Sequence, residues 1–247
     1  MFTWPSPPEP VVLGNDQVHI WRASLSLPTE RLNSLHQLLS PDECQRAERF
    51  VLPKDRDAFI AARGILRLVL SRYLKRLPEE LCFCYGPYGK PSLDSQFNFE
   101  QLRFNLSHSH QLALYAIVRN QEVGVDLEQV HPLDYTAIAR RFFSSQESAA
   151  LLALPEGDRA QAFFNCWTRK EAYVKAQGRG LTLPLNQFEV SLAPGAAALL
   201  SVNEDSQAGT GWTLQALQPG PGYVAALAIA GQNWQIKCWQ WLPALNG

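Results

Sequence analysis

Residues Val123 to Glu128 read Val-Gly-Val-Asp-Leu-Glu, a strict alternation of apolar residues with glycine and acids. Successive side chains of a strand leave on opposite faces. Val123, Val125 and Leu127 therefore require a core on one side, while Gly124, Asp126 and Glu128 share the other. Leu112 to Val118 is an apolar run, and Arg119-Asn120-Gln121 after it is a short polar turn. The segment is thus the second member of an antiparallel pair. Its two carboxylates sit on Cα atoms roughly 6.6 Å apart. They can converge on one hard cation, and oxygen donors suit magnesium. Gly124 is expected to leave that face open beside them. Spacing alone more readily describes a solvated strand face that ends in acids.

The rest of the chain supplies helices and strands in two rounds. Gln17 to Arg22 reads as a strand after a Pro-rich stretch, residues 1–16, expected to be extended or loosely attached. Helices follow from about Thr29 to Leu39 and from Ser40 towards Phe50. The second has Ser40 as N-cap, Pro41 at the first helical position and Glu43 three residues after the cap. Residues 55–77 form a long helix in which Phe59, Leu66, Leu70, Tyr73 and Leu77 recur at helical spacing, with Arg56, Arg63, Arg67, Arg72, Lys75 and Arg76 around the rest. Cys82 to Tyr85 is a short strand, Gly86 to Pro91 a loop, and Phe104 to Ser107 begins another strand. Ser144 and Glu147 make a second capping box, and Ala160 to Gln177 is a helix closed by Gly178. Strands are expected at 188–192, 212–217, 223–229 and 234–241. Helices-then-strands occurs twice without a recognisable sequence repeat. That order implies an α+β chain of two similar halves, 1–119 and 120–247.

Composition narrows the function classes. The chain has 247 residues, a formal net charge of -1 and 46% hydrophobic residues, enough for a full core and unlike a disordered chain. Near-neutral charge disfavours a dedicated nucleic-acid binder. No basic residue precedes an apolar run at the N-terminus, and no stretch has the length of a membrane span, so a soluble, cytoplasmic protein is expected. The five cysteines form no Cys-x-x-Cys pair and suit free thiols in a reducing compartment.

Four further groups could carry chemistry. Glu171 and Lys175 are four residues apart on one helix face, in the favourable order for a pair, with Trp167 one turn before them. Such a carboxylate can bind metal or act as a base, and the lysine can bind phosphate. An ordinary surface pair has the same spacing. Asn105-Leu106-Ser107-His108-Ser109-His110 offers hydroxyls and imidazoles, though His-x-His without further ligands is weak evidence for zinc. Lys90 stands at a rigid turn, and Arg46 and Arg49 lie near the basic helix. There is no Gly-x-Ser-x-Gly elbow, phosphate-binding Walker loop or dinucleotide glycine fingerprint.

In order, these segments resemble the 4'-phosphopantetheinyl transferases, specifically the long, pseudo-dimeric Sfp-type branch. The matching pieces are Gly89-Lys90-Pro91, Phe104 to Ser109, Gly124 to Glu128, and Trp167 to Lys175, joined by Arg141-Phe142-Phe143-Ser144 and Gly178-Arg179-Gly180-Leu181. Together they span roughly residues 40–190.

The resemblance implies transfer of phosphopantetheine from coenzyme A to a serine of an apo carrier protein of fatty acid, polyketide or peptide synthesis. It also implies two α+β halves related by a pseudo-twofold, with coenzyme A in the cleft between them, in a chain that works as a monomer. By position, Asp126, Glu128 and Glu171 are the magnesium ligands. Glu171 is also the candidate base, and Lys175 meets coenzyme A phosphates. His108 and Arg46 match positions that hold the 3'-phosphate, and Lys90, Asn105 and Ser107 match other cofactor contacts. Glu43 stands where some relatives carry a basic residue near that phosphate, a contact Arg63 could supply instead. Two other readings stand beside it: a magnesium-dependent phosphoesterase that uses the same three acids and needs no carrier, and a module that binds coenzyme A or carriers without catalysis, for which the acids would not be required.

Overall fold

The computed structural model describes residues 3–96, 98–203, 205 and 207–242. The first half runs β1 (Gln17–Ser24), α1 (Thr29–His36), α2 (Pro41–Glu48), α3 (Pro53–Leu74), β2 (Phe83–Tyr85), β3 (Pro91–Leu93), β4 (Leu102–Ser109) and β5 (Leu112–Arg119). The second runs β6 (Val123–Gln129), α4 (Tyr135–Phe142), α5 (Ser145–Ala153), α6 (Glu156–Gln177), β7 (Phe188–Val190), β8 (Leu199–Val202), β9 (Trp212–Leu217), β10 (Tyr223–Ala230) and β11 (Gln235–Gln240). The α+β class holds, and the acidic segment is strand β6 as its alternation required, but it pairs with β10 in the second sheet and not with β5, the strand before it, as the short turn between them suggested.

Two sheets form the centre, ordered β11-β1-β5-β4 and β6-β10-β9. They face each other across one apolar layer that includes Val18, Ile20, Leu114, Ala116, Val123, Val125, Leu127, Leu227 and Ile229. On the outer face of the first sheet, Trp21, Tyr115, Ile117 and Phe104 pack with Ile65, Leu66 and Leu70 of α3. On the outer face of the second, Ala226 and Ala228 pack with Phe163, Ala172, Tyr173 and Ala176 of α6. The order is helix, sheet, sheet, helix. Only period-2 strands can feed two cores in this way.

The halves repeat one frame. In α2 and α5 the capping-box glutamates, Glu43 and Glu147, each accept the N–H of their cap serine, at 3.0 and 2.9 Å. Both side chains are buried. Glu43 pairs with Arg67 at 2.7 Å and Glu147 with Lys170 at 2.8 Å. Arg67 and Lys170 occupy the same position in helices of identical length, 22 residues each. Each cation also donates to two carbonyls just beyond its helix, Pro78 and Leu81 for Arg67, Leu185 and Phe188 for Lys170. The two halves therefore share one physical frame although the residues that build it differ.

Several expectations change. Lys75 takes a left-handed conformation and ends α3 at Leu74, short of residue 77. The expected loop at residues 86–91 ends in strand β3, which pairs with β2. Strand β8 and helix α4 carry no periodic signal long enough to read, and α4 starts on Asp134, whose carboxylate accepts the Ala137 N–H at 3.0 Å. The Pro-rich N-terminal stretch is anchored: Val11 and Leu13 are buried, and Trp4 donates to the Gln218 carbonyl at 2.9 Å. Met1 and Phe2 lie outside the described residues. Among the described residues no helix is long and apolar enough to cross a membrane.

Removing one member of a buried pair strands its partner's charge, which costs about 3–5 kcal/mol. Glu43→Ala leaves Arg67 and Arg63 without their shared acid. Urea unfolding is expected to show a loss in that range. A loss no larger than that of an exposed pair would show that the frame carries no such stress.

Candidate active site

Strands β4 and β6 approach each other at the seam between the halves, joined through side chains. Asn105 Oδ1 accepts the Val125 N–H at 2.8 Å, Ser107 Oγ the Leu127 N–H at 3.3 Å, and Ser109 Oγ the Gln129 N–H at 3.1 Å. The two serines then turn their own hydrogens to the acids. Ser107 donates to Asp126 Oδ1 at 3.0 Å, and Ser109 to Glu128 Oε2 at 3.1 Å. Alternate residues of β4 face the other way, where Phe104 and Leu106 pack against the α3 core and His108 opens onto a basic pocket.

Helix α6 brings the remaining groups. A Cβ built on Gly124 falls 2.0 Å from the Ala172 carbonyl oxygen and 2.4 Å from the Ala176 nitrogen. The acidic face of β6 is thus covered by helix backbone rather than left open as the sequence suggested. Only glycine permits that approach. It lays Lys175 against Asp126, with Nζ 2.6 Å from Oδ1, 3.0 Å from Ser107 Oγ and 3.3 Å from the Val125 carbonyl. The ion pair of Lys175 is therefore with Asp126 of the neighbouring strand β6, in place of the along-helix pair with Glu171 that the spacing suggested. Trp167 stacks on Phe163 and meets Phe142 edge-on, tying α4 to α6.

The acids feel one another. Burial first, then the Asp126 charge, raises the Glu128 carboxyl above its ordinary value. Burial first, then Asp126, and more weakly Glu128, raise Glu171, against the pull of Lys175. Asp126 is buried, and its Oδ2 has no hydrogen-bond partner. Three mutually repelling hard-oxygen donors, one with an orphaned buried oxygen, suit a divalent cation of the magnesium type. Among the described residues no three His, Cys, Asp or Glu stand close enough together to form a ready-made metal cluster. The fit rests on the donor set.

The other expected residues separate. Ser107 donates once and accepts from both Leu127 and Lys175, which uses all the capacity of a hydroxyl. Lys90 reaches the second half, where Nζ donates to Glu122 at 2.8 Å and to the Val123 and Ala176 carbonyls at 3.2 Å. It thereby steadies the C-terminus of α6, where a cation is favoured. Arg46 and His108 line one pocket of about 180 Å³ together with Arg63 and Tyr85. Arg63 is held by Glu43 at 3.1 Å and by the Tyr85 hydroxyl at 2.8 Å. Its Nη1 is buried without a hydrogen-bond partner. The His108 ring is open to solvent at its surface, yet the protein around it and the Lys175 charge lower its pKa. Glu43 is a core anchor for Arg67 and Arg63, so an acid that pairs with a pocket cation stands where the resemblance implied a base. Sequence reasoning gave Ser109 no role beyond one hydroxyl of its motif, and passed over Tyr85 and the orientation of Arg63. The alternation Asn105-x-Ser107-x-Ser109 was the available signal for the first.

Residues 122–228 match the family described as the 4'-phosphopantetheinyl transferase superfamily, and residues 21–120 match its N-terminal model, 4'-phosphopantetheinyl transferase, N-terminal. The chain is 41% identical over 240 residues to the 4'-phosphopantetheinyl transferase HetI of Nostoc sp., covering 97% of this chain and 98% of that one. The chain belongs to the 4'-phosphopantetheinyl transferase superfamily. It is also 31% identical over 166 residues to the 4'-phosphopantetheinyl transferase Sfp of Bacillus subtilis, covering 67% of this chain and 72% of that one. In this transferase the two family matches meet at the turn between β5 and β6, which leads into the acidic strand.

Gly124→Ala tests the close approach. Overpacking of this kind costs about 1–3 kcal/mol. Chemical denaturation is expected to show at least that loss, because the clash is with backbone. Wild-type stability would mean that α6 can move away freely. Glu171→Gln tests the crowding of acids. A raised carboxyl contributes stability below its ordinary pKa and loses it as pH rises through the folded value. In chelator at pH 7 the variant is expected to melt higher than wild type, with the advantage gone at pH 4. A lower melting point at pH 7 would contradict the repulsion.

Proposed function

We propose that this transferase moves the 4'-phosphopantetheine group of coenzyme A onto a serine hydroxyl of an apo carrier protein, with magnesium. We further propose halves at 1–119 and 120–247 that bind coenzyme A between them. The observation that carries this reading is the seam itself: α6 presses Lys175 onto Asp126 while β4 and β6 set Glu128 beside them. The kinship with HetI and Sfp supports the same activity.

Asp126, Glu128 and Glu171 are the residues that would hold the cation, which when bound neutralises charge on the pyrophosphate oxygens and orients them. The carrier serine oxygen attacks the phosphorus that bears pantetheine, and the bond from that phosphorus to the bridging oxygen breaks. Adenosine 3',5'-bisphosphate leaves. Glu171 accepts the serine proton, a role favoured by its raised carboxyl. Lys175 supplies positive charge on the leaving side. The Arg46, Arg63 and His108 pocket suits the 3'-phosphate, with the unpartnered Arg63 Nη1 as an added donor. Asn105 and Lys90 border the same seam and fit contacts to the rest of the cofactor. No covalent enzyme intermediate is required, in keeping with five free cysteines that the chemistry does not use. The free thiols suit the cytoplasm, and a chain that already pairs two halves suits a monomer.

The test is to incubate the protein with coenzyme A, magnesium and apo carriers of fatty acid, polyketide and peptide type, and to weigh the carriers. A gain of one phosphopantetheine on at least one is expected. Glu171→Gln is expected to lower the rate by about a hundredfold to ten-thousandfold with the fold intact. No mass gain on any carrier would sink the reading, and full activity in the variant would remove Glu171 from its role.

A further inference from the structure

We propose that Ser109 is a positioning residue for Glu128, and that its hydroxyl sets this carboxylate towards the cation. The inference rests on the reading of the acids given above. Ser109 lies on β4, in the first half of the chain, and Glu128 lies on β6, in the second.

The geometry fixes the hydroxyl's polarity. The Gln129 N–H can only donate, so at 3.1 Å the Ser109 oxygen must accept it. The one hydroxyl hydrogen is then left for Glu128 Oε2 at 3.1 Å. Both partners sit on the same short stretch of β6, so the hydroxyl spans a strand backbone and the side chain beside it. Glu128 has no ion pair among the described residues, whereas Asp126 is held by Lys175 as well as Ser107. Among the described residues Ser109 is thus the one hydrogen-bond partner of the Glu128 carboxylate, which otherwise has three freely turning bonds. Ser107 cannot take over, because its hydroxyl is saturated by Asp126, Leu127 and Lys175.

Partners that orient a metal-binding carboxylate are worth about 10–100-fold in affinity. The experiment measures Mn²⁺ binding by calorimetry on the full chain with coenzyme A present, alongside the magnesium concentration for half-maximal transfer. Ser109→Ala is expected to weaken both by about tenfold or more, leaving the KM for coenzyme A at saturating magnesium unchanged. Ser109→Thr, which keeps the hydroxyl, is expected to restore both. Thermal unfolding monitors the fold, and Ser109→Cys, nearly isosteric but a weak donor, serves if the alanine variant is too unstable to assay. It too is expected to lose metal affinity. Equal Mn²⁺ affinity in a folded alanine or cysteine variant would overturn the proposal. So would a threonine variant as weak as alanine. Wild-type protein that binds Mn²⁺ with the predicted Ser109 dependence but modifies no carrier would leave the positioning intact and overturn the transferase reading instead.

Discussion

The structure depends on a strand junction made without strand pairing. Beside β4, the Val125, Leu127 and Gln129 N–H groups of β6 find their acceptors in side chains, and an unmet buried donor would cost about 1–3 kcal/mol. Asn105, Ser107 and Ser109 therefore do what a neighbouring backbone does elsewhere in the sheets. A backbone carbonyl would accept and stop there. A serine hydroxyl accepts and also donates, and the donated hydrogen is aimed at an acid. The junction of the two halves and the orientation of Asp126 and Glu128 are one hydrogen-bond system, so the site cannot form unless the halves are docked.

The two halves share a frame and differ in the residues set on it. Both halves carry a capping-box glutamate buried against a cation at one shared position of an equally long helix. At the positions of α3 that correspond to Glu171 and Lys175 stand Leu68 and Arg72. Leu68 packs against the first core, and Arg72 pairs with Glu9 and lies over the Trp21 ring. The first half instead turns its outer β4 face, through His108, towards Arg46 and Arg63. One half offers acids and the other offers bases, which is what a ligand with both a cation-binding pyrophosphate and a separate phosphate requires. Strand β11 then returns to pair with β1, and Trp4 reaches back to the β9 end, so a segment near each end of the described residues crosses the seam.

What the sequence made legible was local. The alternation from Val123 to Glu128 set β6 and its two faces, the capping boxes at Ser40 and Ser144 set two helix starts, and Gly178 set the end of α6. What it hid was contact between distant segments. Gly124 read as an open face because nothing near it in the chain announces the Ala172 backbone. Glu171 and Lys175 read as a pair because four residues separate them, whereas the stronger attraction for Lys175 comes from Asp126 on another element. Glu43 read as a lost base because the burial of its carboxylate against Arg67 is a tertiary fact. Lys90 likewise shows its three partners only once α6 has docked.

The central claim is that the seam gathers Asp126, Glu128 and Glu171 around one cation. A crystal of the protein with coenzyme A and manganese, measured at the manganese absorption edge, tests it directly. The account predicts one anomalous peak bounded by those three carboxylates and the pyrophosphate, with the 3'-phosphate between Arg46, Arg63 and His108. A peak that touches none of the three acids, or coenzyme A bound away from the seam, would contradict it.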